Sequence, residues 1–353
     1  MLNLDARNSY DDIDHSHMRQ RLADIAAQCR AAYDAGQAFF QAIQFSPVDN
    51  IVVAGMGGSA MGASFVQAAY APDATVPITI WRNYGLPGFA SAARTLVIVT
   101  SKSGNTEETL DAFDTAVERG CQIVALTSGG LLAQRAREHG MPVFEYAYPY
   151  TPREGVGWLT FPVIALFRVL DIIPDPEADV NEVINLLGNA AIRLGIDSPV
   201  MRNPAKRMAG QVVHKLPILY ASGLLAPVAR RWKTLLNENA KLLATWDEMP
   251  ELNHNAVVGF EQAEDVWRRS IVIQLRSDYD HPRVSQRFDI TTRLMLEAGI
   301  NQDTVRATGK SALAQVMSLV QFGDWVSYYA AIMTGIDPTP TDALDWIKAE
   351  LNR

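Results

Sequence analysis

Two short stretches carry residue types and spacings suited to holding an anion. The first, "SKSGNT" (101–106), follows an apolar run at 95–99 and leads into a helix-like segment. The hydroxyls of Ser101, Ser103 and Thr106, with backbone N–H groups at a helix start, suit a phosphate monoester. They donate to a dianion without permanent countercharge, and the helix dipole adds to the attraction. Ordinary capping by Asn105 or Thr106, with Glu108 or Thr109 nearby, competes with this reading. Capping alone leaves Ser101 and Ser103, which precede the cap, without a purpose. The second stretch, "GMGGSAMG" (55–62), has the look of a glycine-rich dinucleotide loop. Ala60 stands where the G-x-G-x-x-G frame needs its last glycine, and the following strand closes on "IWRN" (80–83) rather than on an acid. Both departures argue against a dinucleotide cofactor.

Such loops need strands to end on and helices to open. Apolar residues recur at helical spacing from about Met18 to Ile43, and then the pattern alternates. Strands are predicted at 50–58, 76–83, 95–104, 121–130 and 141–147, with helices at 59–70, 105–120 and 131–140. Strand followed by helix, repeated, implies a parallel sheet covered on both faces, with ligands at the carboxyl ends of the strands. A mostly apolar run at 155–173 is long enough for a packed helix, and helices are predicted at 180–195 and 203–216. The alternation then restarts: strands at 216–223, 267–277 and 303–308, helices at 226–244, 283–300 and 311–335. A last helix starts from "DPTPTD" (337–342). The expectation is an α/β chain of two halves, residues 1–195 and 196–353, the second an approximate echo of the first.

Composition narrows the classes. A chain of 353 residues is long for one core, and a formal charge of −8 without a basic stripe argues against a nucleic-acid footprint. Two cysteines, Cys29 and Cys121, make neither a disulfide framework nor a thiolate metal site and suit a reducing cytosol. The acidic, polar start has no basic head or apolar core of a signal peptide, and no apolar stretch reaches a membrane span. A cytoplasmic protein is expected.

A strand followed by S-x-S-G-x-T and a helix resembles the sugar isomerase (SIS) fold. With "GMGGSAMG", "TPREGVG" (151–157), "NENAKLLATWDEMPELNHN" (237–255) and "GDWVSYYAAIMTGIDPTPTDALDWIK" (323–348), the chain resembles the bifunctional phosphoglucose/phosphomannose isomerases over nearly its whole length. The resemblance implies two SIS subdomains, each a parallel sheet flanked by helices. It also implies an aldose–ketose isomerase acting on glucose 6-phosphate, and on mannose 6-phosphate, to give fructose 6-phosphate through a cis-enediol, with no cofactor or metal. Lys102 departs from the family, where an aromatic residue is common, and is expected to point outward between the two serines.

The residues then take roles by resemblance. Ser101, Ser103 and Thr106 hold the phosphate, and Gly58 and Ser59 form the second loop against it. Glu238, which by itself reads as a helix-surface residue paired with Lys241, becomes the base that moves a proton between adjacent carbons. Such a base works best where partial burial raises its pKa. His254 and Lys348 share ring opening, and Arg153 balances charge on the enediolate oxygens. Thr341, with Thr339 as its rival in register, lines the pocket for the mannose configuration. A homodimer with shared sites is implied, the histidine coming from the second subunit. The alternative is a SIS regulator that binds a phosphosugar without converting it, or another phosphosugar isomerase.

Overall fold

The structure is a computed structural model that describes residues 2–262 and 264–351. Two compact units are present. One holds Ile25–Asn185 with Ser311–Leu313; the other holds the residues through Asp24, Leu186–Lys310 and those from Ala314 onward. Each is built on its own parallel sheet flanked by helices, the α/β architecture the alternating pattern requires.

In the Ile25–Asn185 unit the strands are β1 (Asn50–Gly55), β2 (Ile78–Trp81), β3 (Thr95–Ser101), β4 (Gln122–Thr127) and β5 (Val143–Glu145), ordered β2-β1-β3-β4-β5. All seven residues of β3 are buried, because a central parallel strand is covered on both faces and must be apolar throughout. Val52, Val97, Val99, Leu110, Phe113 and Ile123 form much of the core on one side. The apolar run after residue 155 becomes the helix Val156–Val169, which packs against Ile25–Phe40 so closely that a Cβ on Gly36 would lie 3.0 Å from Ala165 Cβ. Cys29 and Cys121 are both free and buried, and burial pushes both thiols up, away from the reactive thiolate.

In the other unit β6 (Leu216–Ser222), β7 (Thr245–Met249), β8 (Ser270–Arg276) and β9 (Gln302–Arg306) run in the order β7-β6-β8-β9, all neighbours parallel. Residues 245–249 are not among the strands that the sequence predicts. "TWDEM" is short and polar, and as an edge strand it needs to bury only its last residue fully. The helix predicted to run from 226 to 244 is Ala226–Glu238 and stops six residues early. There the Leu242 N–H reaches back to the Leu236 carbonyl (3.0 Å) across Lys241, whose φ is +53°, a left-handed helix closure.

One buried ion pair ties this unit's helices together. Arg231 places Nε and Nη2 each 2.9 Å from the two carboxylate oxygens of Asp324 on the helix Ala312–Thr334. Both side chains are 3% exposed. Burial pushes the Asp324 carboxyl up, against the opposing pull of Arg231. Asp324→Asn leaves the guanidinium buried without its counterion, and we expect a stability loss of about 3–5 kcal/mol, read from urea unfolding midpoints. A midpoint equal to the parent's would contradict this. Among the described residues no helix is long and apolar enough to cross a membrane.

Candidate active site

The order β2-β1-β3 means that the chain leaves β1 toward β2 on one side and β3 toward β4 on the other, opening a crevice at their carboxyl ends. Two helices begin there, Gly57–Tyr70 after β1 and Glu107–Glu118 after β3, and neither start carries a side-chain cap. Thr106 occupies the cap position, yet its Oγ1 lies 2.8 Å from Ser101 Oγ. Ser101 Oγ also accepts the Gly104 N–H (3.1 Å), and Ser103 Oγ accepts the Asn105 N–H (3.2 Å). Ser59 Oγ accepts the Lys102 N–H at 3.1 Å, which joins the two loops directly. Ser59 and Ser101 are buried, Thr106 half-buried and Ser103 exposed, so the hydroxyls line the crevice from floor to rim.

The loop is held in shape from behind. Ser128 donates its N–H and its hydroxyl to the Lys102 carbonyl (3.1 and 2.6 Å), and the Leu131 N–H bonds Asn105 Oδ1 at 2.9 Å. Gly104 has φ +69°, and a Cβ there would lie 1.8 Å from the Gly129 carbonyl oxygen, so no other residue fits. The glycines of "GMGGSAMG" have a different reason. A Cβ on Gly62 would lie 2.0 Å from the Leu159 carbonyl oxygen, and one on Gly58 would lie 3.1 Å from Pro152 Cβ. Close packing explains Gly58 and Gly62, whereas Gly57 has open space around it and a φ of +49°, a left-handed turn into the helix.

Pro152 belongs to a short 3-10 turn, Pro152–Glu154, closed by a capping box in which Thr151 Oγ1 donates to Glu154 Oε1 at 2.6 Å. That turn presses Arg153 against the Gly58 loop, its backbone nitrogen 3.5 Å from where a Gly58 Cβ would stand. Arg153 is 7% exposed. Gly58, Ser59, Ser101, Ser103, Thr106 and Arg153 therefore all belong to the Ile25–Asn185 unit.

Glu238, His254, Thr341 and Lys348 belong to the other unit. Glu238 is the last residue of its helix and half-buried. The Lys241 ammonium lies on backbone carbonyls: Glu238 at 2.8 Å and Asp337 at 3.1 Å. It thus pins the helix end to the segment that carries Thr339 and Thr341, both half-buried. His254 is exposed and ends the 3-10 turn Glu251–His254, which is braced by Asn253 Nδ2 donating to Thr291 Oγ1 at 2.9 Å. Lys348 sits on Asp342–Leu351, a helix with no buried residue, its ammonium 3.3 Å from Asp345 Oδ1.

Glu248 is a further titratable group near Pro250. It stands half-buried at the carboxyl end of β7, and burial pushes its carboxyl up. The acidic pair Asp247-Glu248 shortly before Pro250 was the available signal, hidden because the strand itself was not recognised.

The second sheet has the same switch point, between β6 and β8, but fills it. The Asp280 side chain, 1% exposed, accepts the Ser222 hydroxyl at the end of β6 and the Ser277 N–H (3.1 Å) just after β8. A built-in carboxylate thus occupies the place that the first sheet leaves to hydroxyls and helix starts.

The fold is that of the sugar isomerase (SIS) domain proteins. Residues 201–351 match the family model of the bacterial phospho-glucose isomerase C-terminal SIS domain. A hypothetical protein from Thermus thermophilus superposes with a TM-score of 0.74 at 15% identity, over 98% of this chain and 92% of that one. A glucose-6-phosphate isomerase like protein from the same organism gives 0.63 at 20% identity, over 98% and 100%. The bifunctional phosphoglucose/phosphomannose isomerase of Caldicellulosiruptor bescii is 33% identical over 337 residues, 95% of this chain and 98% of that protein. That of Aquifex aeolicus is 32% identical over 310 residues, 87% and 92%. The chain belongs to the bifunctional phosphoglucose/phosphomannose isomerase family. A D-glucosamine-6-phosphate 4-epimerase of Sulfolobus acidocaldarius is 31% identical over 212 residues, 59% of this chain and 63% of that protein.

Proposed function

We propose that the protein interconverts glucose 6-phosphate and mannose 6-phosphate with fructose 6-phosphate through a cis-enediol. The observation that carries the reading is the Thr106 hydroxyl, which meets Ser101 instead of capping its helix, leaving the helix start to a dianion. Ser101, Ser103 and Thr106 hold the phosphate, with Gly58 and Ser59 as the facing loop. His254 and Lys348 open the ring by moving a proton between the C1 hydroxyl and the ring oxygen. Glu238 then takes the C2 proton of the open aldose. The C1 carbonyl oxygen, negative in the enediolate, is balanced by Arg153 and protonated. Return of the proton to C1, with loss of the C2 hydroxyl proton, gives the ketose.

Thr341, or Thr339 in the neighbouring register, accommodates the mannose epimer. The exposure of His254 supports its donation across a homodimer. The two free, buried cysteines suit the reducing cytosol, where the protein serves hexose phosphate metabolism. The chemistry is proton transfer throughout and needs no cofactor or metal.

Incubation with fructose 6-phosphate and identification of every aldose phosphate formed tests this directly. Glucose and mannose 6-phosphates are expected. Their absence, with conversion of glucosamine 6-phosphate instead, would overturn the reading. Ser101→Ala removes one hydroxyl from a charged ligand and is expected to raise KM for fructose 6-phosphate about 10–100-fold, corresponding to about 1.5–3 kcal/mol.

A further inference from the structure

The unit that carries Glu238 contains a cleft of about 500 Å³ that the isomerase chemistry does not use. Its walls are the end of the helix Glu177–Leu194, the helix Pro204–Val212, the edge strand β9 and the helix Ala312–Thr334. Three of these elements each contribute one arginine: Arg193, Arg207 and Arg306. All three are exposed to solvent, and among the described residues none of their guanidinium groups has a carboxylate partner.

What sets these three apart is that they line one cleft. Acidic residues outnumber basic ones, 39 to 31, and other arginines, such as Arg19, Arg94, Arg135, Arg231 and Arg276, have carboxylate partners. The acid lining the cleft is Asp303, whose Oδ1 accepts the Thr304 N–H at 2.7 Å. Three guanidiniums against one carboxylate leave a concave surface positive in an acidic protein, and such a surface concentrates anions. Guanidinium forks fit phosphoryl oxygens two at a time. Leu319 and Phe322 give the cleft an apolar side, and its volume is that of a small-molecule site.

We propose that this cleft binds an organic polyphosphate, of the class of a nucleoside di- or triphosphate. The phosphates would lie on Arg193, Arg207 and Arg306 and the base against the apolar side. Cations from three separate elements match a chain of phosphoryl groups better than the single dianion of a hexose phosphate. The proposal stands apart from the isomerase reading, since no residue of that machinery lines the cleft.

The full-length protein is titrated calorimetrically with ATP, pyrophosphate and inorganic phosphate, each with and without saturating fructose 6-phosphate. ATP is expected to bind most tightly, pyrophosphate next and phosphate least, all unaffected by fructose 6-phosphate. Arg207→Ala and Arg306→Ala are each expected to weaken ATP about tenfold, and the double variant about a hundredfold. Isomerisation without ATP should stay at the parent rate in both. Arg306→Lys, which keeps the charge, controls for misfolding and should bind within a few fold of the parent. No binding of ATP, displacement of ATP by fructose 6-phosphate, or equal affinity in the double alanine variant would each overturn the proposal.

Discussion

Glu238→Gln is expected to lose about 10²–10⁴-fold in kcat with fructose 6-phosphate while folding as the parent does and keeping its KM. Glutamine has nearly the same shape, so the half-buried end of the helix Ala226–Glu238 keeps its packing. The closure that fixes this position uses backbone groups: the Lys241 ammonium on the Glu238 carbonyl and the Leu242 N–H on the Leu236 carbonyl. Neither depends on the carboxylate. What the substitution removes is the basic carboxylate that accepts a carbon-bound proton, since an amide oxygen is too weak a base to do so. A fall in kcat without a rise in KM is the mark of a group acting in the transition state rather than in binding. Turnover at the parent rate in a coupled assay would show that another residue is the base, and Glu248, pushed up by burial, would be the next to replace.

Gly104→Ala should act in the opposite sense, through binding. At φ +69° a side chain is strained by about 1–3 kcal/mol, and its Cβ would meet the Gly129 carbonyl oxygen at 1.8 Å. The segment must move, and it carries Ser101, Ser103 and Thr106 with it, because Ser101 Oγ accepts the Gly104 N–H and touches Thr106. We expect KM for fructose 6-phosphate to rise about 100-fold or more, by the same scale on which about 1.4 kcal/mol is tenfold. The strand core behind the loop keeps its packing, so far-ultraviolet circular dichroism should be unchanged. A parental KM would mean that the loop does not hold the phosphate. Ser103→Ala, at an exposed hydroxyl that among the described residues accepts the Asn105 N–H at 3.2 Å, should do much less and calibrates the comparison.

Much of the architecture is written in local pattern. The seven-residue buried run of β3, the amphipathic helix after it and the same succession around β6 and β8 follow from which residues must face a core. The anion loop is legible for the same reason: its hydroxyls, its glycine and its helix start are all within six residues. The strand β7 was not legible, because an edge strand needs little burial and "TWDEM" shows little. The early end of the helix at Glu238 was missed too. It depends on a lysine in a left-handed conformation, which periodicity does not register.

The amino-acid sequence by itself determined the alternation of strands and helices apart from the edge strand β7, the two-fold repetition of the α/β pattern and the hydroxyl-rich loop, since each rests on residues a few positions apart. Only the tertiary structure decided that Ser59 reaches the Lys102 N–H across 43 positions and that Arg153 abuts Gly58. It alone decided that Asp280 fills the second switch point and that Arg193, Arg207 and Arg306 line one cleft. The reason is physical: helical and strand periodicities report which way a side chain faces, whereas the partner it meets depends on where a distant part of the chain has packed.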